Sequence, residues 1–313
     1  MRYSNKKLEN YVNKIKLTQD RKSSYSTQID SLKRNVTHAI NSMDSAKVTK
    51  VKRAGSWKKG TALAPKGEYP LDVDMVFYLD VDEDTRFDAE ELREGIIDTL
   101  CQAYPTKERS DFSGGPKTVG VVFVGSGLEV DIVPFIPEVG NTSYGRQPRK
   151  VLNSGEFLTS VEKQLDFASK VKDKCQSFAS IVRILKSWRN YKELEVSSFS
   201  IELLVSHLVK TGKISSSIEN AVVSFFELVG SDRHLEIYFE GAIGEKSGDA
   251  PWVADPTNNA NNTINMCQSS WNETVQQAET GYETISYAQE VAETGKTLNL
   301  WREIFGPSFS VHE

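Results

Sequence analysis

Cysteine and histidine are scarce in this chain of 313 residues, with three of the first and four of the second. Cys101, Cys175 and Cys267 lie far apart and match no metal-ligand spacing. His38, His207, His234 and His312 are equally scattered, which leaves no zinc site to propose. An odd, sparse set of thiols fits a reducing compartment. No apolar run approaches the roughly 20 residues that span a bilayer, so no membrane segment is expected. Met1 to Lys16 alternates charged and polar residues without the apolar core of a signal peptide. A cytoplasmic protein is the expectation. Internal repeats and low-complexity tracts are missing too, so a repeat architecture is not expected.

What is present is a chain with 38% hydrophobic residues, enough to bury one large core or two lobes. The net charge of −5 is unevenly spread. Residues 1–60 hold 15 Lys+Arg against 4 Asp+Glu, a net +11, whereas the remaining 253 hold 23 against 39, a net −16. A basic N-terminal face of this kind would suit nucleic acid, triphosphates or an acidic partner. The plainer alternative is a solvated face that balances the acidic remainder.

Periodicity predicts helices over 3–18 and 25–43, the second with Ile29, Leu32, Val36, Ala39 and Ile40 on one face. A strand over 48–54, a short helix from Trp57 to Leu63, a strand over 72–80 and a helix over 87–103 follow. Residues 117–124 and 128–133 read as a hairpin turned at Gly125-Ser126-Gly127. The stretch 137–155, with its Gly and Pro, reads as a linker or active-site loop. Helices are then expected near 156–173, 176–191, 197–211 and 215–229, with a short strand at 235–239. Residues 241–265 read as loop. A long helix covers 266–293, its apolar face being Trp271, Val275, Ala278, Tyr282, Ile285 and Val291. A last helix near 297–305 stops at Gly306-Pro307. The fold class is α+β: a sheet-and-helix lobe over 1–150 that includes the N-terminal helices, and a mostly helical lobe over 151–313.

The chemistry is concentrated in three aspartates. In a strand, residues i and i+2 share a face, so Asp72 and Asp74 point the same way while Val73 and Val76 reach the other side. Their apolar flanks (Met75, Val76, Phe77) argue against full exposure. Two carboxylates on one face repel unless a cation lies between them, and hard oxygen ligands suit Mg²⁺ or Mn²⁺. Asp131 is embedded in a second apolar strand between Val130 and Ile132. Paired beside Asp72 and Asp74, it completes a set able to hold two cations for in-line phosphoryl displacement. Ahead of it, Gly55-Ser56 joins a strand to a helix start, where glycine lets a phosphate approach and Ser56 can donate its hydroxyl. On helix 176–191, Phe178, Ile181, Val182, Leu185 and Trp188 form the buried face, and Arg183, Lys186 and Asn190 lie on another. Lys186, and Ser200 on the next helix, could reach an anionic ligand, although a solvated lysine is the simpler reading of Lys186.

Gly55-Ser56, then Asp72-x-Asp74, then Asp131 resembles the polymerase-beta-type nucleotidyltransferases. Val182 to Trp188 and Ser198 to Leu204 look like the spine helices of oligoadenylate synthetases and bacterial CD-NTases. Asp255-Pro256-Thr257-Asn258-Asn259-Ala260-Asn261-Asn262 resembles their late Asp-Pro-x-Asn-x-x-Asn-Asn segment, with Asn259 standing where the family often has proline. Gly127 to Pro134 and Trp301 to Phe309 look most like the clade that works beside HORMA-domain proteins. The resemblance implies a polymerase-beta-like core plus a C-terminal helical lobe, and a cyclic oligonucleotide made from NTPs in anti-phage defence. A cyclic trinucleotide such as cyclic tri-AMP leads, with a cyclic dinucleotide next. It implies that Asp72 and Asp74 bind both metal ions, and that Asp131 binds one and helps deprotonate the attacking hydroxyl. It also implies that Ser56, Lys186 and Ser200 contact the donor triphosphate, with ATP the leading NTP substrate, and that Gly55, Asp255 and Asn258 belong to the nucleotide pocket. The implied partners are a HORMA-type activator, double-stranded nucleic acid, and a nuclease effector reached through the diffusible product. Three rivals remain: a linear oligoadenylate synthetase switched on by nucleic acid, a more distant enzyme that transfers a nucleotide to RNA or protein, and an inactive nucleotide-binding sensor.

Overall fold

In a computed structural model, residues 1–44, 46–67, 69–81, 89–112, 118–147, 157–214, 216–246 and 248–311 are described. They fall into two units, one of Leu17–Leu165 and one of Met1–Lys16 with Asp166–Glu313. The expected starts of the helix over 87–103 and the strand over 117–124, residues 148–155 of the expected loop, residue 215 and His312 lie outside the described residues.

The first unit is built on a mixed sheet. Its elements are α2 (Gln19–Asn41), β1 (Ala46–Arg53), α3 (Gly55–Lys59), β2 (Leu71–Val81), α4 (Ala89–Ala103), β3 (Val119–Phe123), β4 (Leu128–Glu138), β5 (Asn141–Gln147) and β6 (Phe157–Thr159); α1 (Asn5–Ile15) precedes them in the chain and belongs to the second unit. The strand order is β1-β2-β4-β5-β6, with β3 also pairing to β4. β2 and β4 run parallel, and β1 and β3 flank them antiparallel. Leu71, Val73, Met75, Phe77, Val130 and Ile132 fill the core beneath one sheet face. Ile29, Leu32, Val36 and Ile40 of α2 and Ile96, Ile97 and Leu100 of α4 belong to the same core. The apolar face expected for α2 is therefore the buried one.

Two readings of this unit change. Val76 shares the face of Asp72 and Asp74, as its even spacing dictates, and packs with Ala54, Tyr78, Val133 and Phe135. The stretch expected to be a linker from residue 137 is in part strand, because β4 continues to Glu138 and turns into β5. Pro134 and Pro137 do not stop β4, since a residue without an N–H is tolerated where the ladder needs none from it.

The second unit holds α1 together with α5 (Val161–Lys174, from Asp166 onward), α6 (Phe178–Tyr191), α7 (Ser198–Lys210), α8 (Ile218–Gly230), β7 (Glu236–Ile237), β8 (Trp252–Asp255), β9 (Asn258–Asn262), α9 (Gln268–Glu290) and α10 (Thr294–Phe305). Helix α1 was expected with the sheet. It packs here instead because Leu8, Tyr11 and Val12 join the core of Phe178, Trp188, Phe226, Trp301 and Phe309. The Tyr11 ring lies 4.6 Å from Phe309 and its hydroxyl 2.6 Å from Ser187 Oγ. Ser4, Ser197 and Ser217 cap α1, α7 and α8 by accepting a backbone N–H into the side-chain oxygen. On α9, Tyr282 is exposed, while Gly281 is turned inward. A Cβ at Gly281 would sit 2.9 Å from the Phe226 ring, so glycine lets α9 approach α8 closely. The expected loop 241–265 carries β8 and β9, which form a small sheet with β7. Among the described residues no helix is long and apolar enough to cross a membrane.

Candidate active site

The parallel pairing of β2 and β4 sets Asp74 beside Asp131 and Asp72 beside Glu129. Residues level with each other on adjacent strands point to the same face, so four acidic side chains share one side of the sheet. Val73, Met75, Val130 and Ile132 alternate with them into the core and hold both strands in register. One carboxylate oxygen from each of Asp72, Asp74 and Asp131 lies within 4.8 Å of the others. Asp74 and Asp131 are partly buried and Asp72 is exposed, so the apolar flanks shield only part of the group.

Burial, then the charges of Asp74 and Glu129, push the Asp131 carboxyl up to about 7, against a hydrogen bond from Thr118 that favours its ionised form. Burial also raises Glu129. Such a cluster fits divalent cations on the chemistry of its donors: converging hard oxygens whose repulsion a cation relieves. Glu129 was absent from the expected site, although its position two residues before Asp131 already placed it on the same strand face.

Gly55 and Ser56 stand against this cluster. The Ala54 N–H donates to the Asp74 carbonyl at 2.9 Å, fixing the turn to β2. Gly55 has φ +56°, and a Cβ there would fall 1.6 Å from Asp74 Oδ2. Only glycine leaves room for that carboxylate. Helix α3 is shorter than the expected 57–63, with Ser56 partly buried and the Ser56 carbonyl accepting the Thr61 N–H at 2.9 Å. Trp57 is buried, with Lys22 and Arg53 over its ring.

The remaining expected contacts belong to the second unit. Lys186 is buried at 5% exposure, which removes the reading of a solvated lysine. Ser200 is fully buried, and its hydroxyl donates to the Thr263 carbonyl at 2.7 Å and pairs with Ser197 Oγ at 2.7 Å. That hydroxyl tethers α7 to the chain leaving β9. Asp255 is fully buried, its Oδ1 accepting from the Thr257 N–H and hydroxyl at 2.8 and 2.9 Å. Asn258 accepts the Ala260 N–H at 3.0 Å. Asn259 exchanges two hydrogen bonds with the Phe239 backbone, at 3.0 and 3.2 Å. An asparagine at that position thus makes a side-chain link that proline could not. Asn262 accepts from the Val253 and Ile264 N–H groups and donates to the Pro251 carbonyl. The Asn-rich segment is a self-bonded turn network that shapes the small sheet.

The basic N-terminal strand is largely engaged within the protein. Lys50 and Lys52 both meet Glu162, Arg53 meets Asp30 at 3.2 Å, and Lys47 donates to the Asn41 and Met43 carbonyls at 2.7 and 2.9 Å. These contacts engage the four cations of β1 within the first unit.

Residues 1–150 match the Second Messenger Oligonucleotide or Dinucleotide Synthetase domain family. The chain is 29% identical to the CBASS oligonucleotide cyclase CdnC of Escherichia coli strain KTE188, over 96% of this chain and 95% of that one. It is 30% identical to the cyclic AMP-AMP-AMP synthase of Escherichia coli strain MS 115-1, with 82% of each covered. The solved complex of E. coli MS115-1 CdnC with HORMA-deltaN superposes with a TM-score of 0.78 at 25% identity, covering 98% of both chains. With the aspartate cluster on its parallel strand pair and relatives matched over most of their length, the chain belongs to the CD-NTase family, the nucleotidyltransferases that serve as oligonucleotide cyclases of CBASS defence.

Proposed function

We propose that this protein joins ATP into a cyclic trinucleotide of the cyclic tri-AMP type, using Asp72, Asp74 and Asp131 as its catalytic carboxylates. The observation that carries the reading is the convergence of these three side chains on neighbouring parallel strands, within 4.8 Å of one another. The relative named a cyclic AMP-AMP-AMP synthase supports the choice of base and ring size.

Asp72 and Asp74 would hold two divalent cations, Mg²⁺ or Mn²⁺, and Asp131 one of them. Bound there, the cations supply Lewis-acid charge to the phosphate oxygens and lower the pKa of the acceptor hydroxyl. Asp131 would accept the proton of that hydroxyl as its oxygen attacks the α-phosphate of a second ATP and pyrophosphate leaves. Gly55 gives the Asp74 carboxylate its space, and Ser56 offers a hydroxyl to the donor triphosphate. Lys186 matches the family's lysine that brings a point charge to a triphosphate. By their match to the family's motifs, Ser200, Asp255 and Asn258 are assigned to nucleotide binding as well. The solved CdnC complex supports a HORMA-domain activator as partner, and the product would act on a nuclease effector.

The test is to incubate the protein with the four labelled ribonucleoside triphosphates and Mg²⁺ or Mn²⁺, treat with phosphatase, and resolve the products by mass. A phosphatase-resistant product without free termini that needs only ATP is expected. A ladder of linear products would replace this reading with that of an oligoadenylate synthetase. No product from the protein, with or without a HORMA partner, would move it to a nucleotide-binding sensor.

A further inference from the structure

Strand β4 fixes the backbone of Asp131, but the side chain has two torsions of its own to settle. Its neighbours on the acidic face, Asp74 and Glu129, repel it and so cannot orient it. Directly opposite Asp131 on β3 stands Gly120, which puts no side chain on the shared face. Thr118 lies two residues before Gly120, on the same face and diagonal to Asp131. Across the gap that Gly120 leaves, the Thr118 hydroxyl hydrogen-bonds to the Asp131 carboxylate. Thr118 is itself held, because Arg93 of α4 donates Nη1 to its carbonyl at 2.6 Å. The same Asp131 carboxylate has an oxygen within 4.8 Å of oxygens of Asp72 and Asp74.

We infer that Thr118 is a positioning residue for the nucleotidyl-transfer reaction: its hydroxyl orients the Asp131 carboxylate toward Asp72 and Asp74, with Arg93 anchoring Thr118 from α4. The inference rests on the proposed role of Asp131. Charge-assisted hydrogen bonds are among the stronger polar contacts, and misplacing a reacting group slightly slows the chemical step far more than it weakens substrate binding.

Thr118→Val keeps the side-chain shape and removes the hydroxyl, while Thr118→Ser keeps the hydroxyl. Mn²⁺ affinity, read by the electron paramagnetic resonance of free Mn²⁺, is compared with ATP turnover and melting temperature. Thr118→Val is expected to weaken Mn²⁺ binding about tenfold and to lower kcat by at least that factor, with KM for ATP within about twofold. Thr118→Ser recovers both. Should the valine variant melt several degrees lower, Thr118→Ala is read in its place. Parent-like Mn²⁺ affinity in the variant lacking the hydroxyl, or a serine variant no better than it, overturns the inference. Asp131→Asn separates the two ideas. If it binds Mn²⁺ like the parent, the carboxylate cluster itself has been misread. If it binds poorly while Thr118→Val binds normally, only the positioning role is lost.

Discussion

Asp131→Asn should make the metal-free protein more stable. The carboxyl moves from its ordinary value of 3.8 to about 7 on folding, through burial and then through Asp74 and Glu129. Between those values the folded protein holds a proton that the unfolded chain releases. Stability is therefore fully present below about pH 4 and is lost as the pH rises through 7. At ~1.4 kcal/mol per pH unit, the shift of about three units costs on the order of 4 kcal/mol once the group is ionised. Asparagine removes the charge but still accepts the Thr118 hydrogen bond. In EDTA at pH 8 the variant should gain roughly 2–4 kcal/mol, or about 5–10 °C in Tm at ~2–4 °C per kcal/mol for a chain of this size. At pH 5 most of that gain should vanish. Mg²⁺ should then stabilise the parent more than the variant, since only the parent keeps all three ligands. Melting curves at two pH values, with EDTA and with Mg²⁺, measure every one of these differences. A variant no more stable than the parent at pH 8, or a gap that widens toward pH 5, refutes the account of Asp131 as an electrostatically strained carboxylate.

Gly55→Ala combines a positive φ with a Cβ placed 1.6 Å from Asp74 Oδ2, so it should displace that carboxylate and cut ATP turnover at least about a hundredfold. Near-parent turnover in that variant would show that Asp74 has room to spare. Lys186→Met keeps the buried stem without its charge and is expected to fold normally while kcat/KM for ATP falls at least about tenfold; steady-state kinetics beside a melting curve separates that from simple unfolding. Gly281→Ala pushes a methyl group to 2.9 Å from the Phe226 ring and should cost about 1–3 kcal/mol in denaturant unfolding, with kcat unchanged. Replacing Lys50 and Lys52 together by Met should leave affinity for duplex DNA at low salt where it was, because both already face Glu162; a loss of affinity there would restore the basic strand as a nucleic-acid contact.

Much of the acidic face was legible because strand alternation is a rigid rule. Asp72, Asp74 and Asp131 stand among apolar residues at the right spacing, and a parallel partnership of their strands is enough to bring them together. The same rule contained Glu129 and the true side of Val76, both of which follow from counting by twos. Thr118 was not legible in this way, because its bond to Asp131 depends on the register of β3 and on the missing side chain at Gly120. The turn into β5 was hidden for a different reason. Asn141–Gln147 has no apolar alternation, with Tyr144 and Gly145 its only buried residues. Gly145 is there for closeness, since a Cβ would meet the Phe135 ring at 2.3 Å.

Polarity misleads most in the helical unit. Amphipathic spacing assigns Lys186 to solvent, yet it is buried on α6 together with Ser180. Asparagines and glycines over 241–265 imply a loop, yet Asp255, Asn258, Asn259 and Asn262 supply the backbone with hydrogen bonds that a longer ladder would otherwise make. Burying so many polar groups is tolerable only because each is satisfied. The cost falls on the interpretation of a motif: residues that resemble nucleotide contacts by their order in the chain are, in part, spent on one another. Asp255, whose Oδ1 is taken up by the Thr257 N–H and hydroxyl, fixes the shape of the segment, and substitution there should weaken nucleotide binding only as far as it loosens the turn. Lys186, whose charge cannot be replaced by the backbone, is the position in this unit where chemistry and packing separate cleanly.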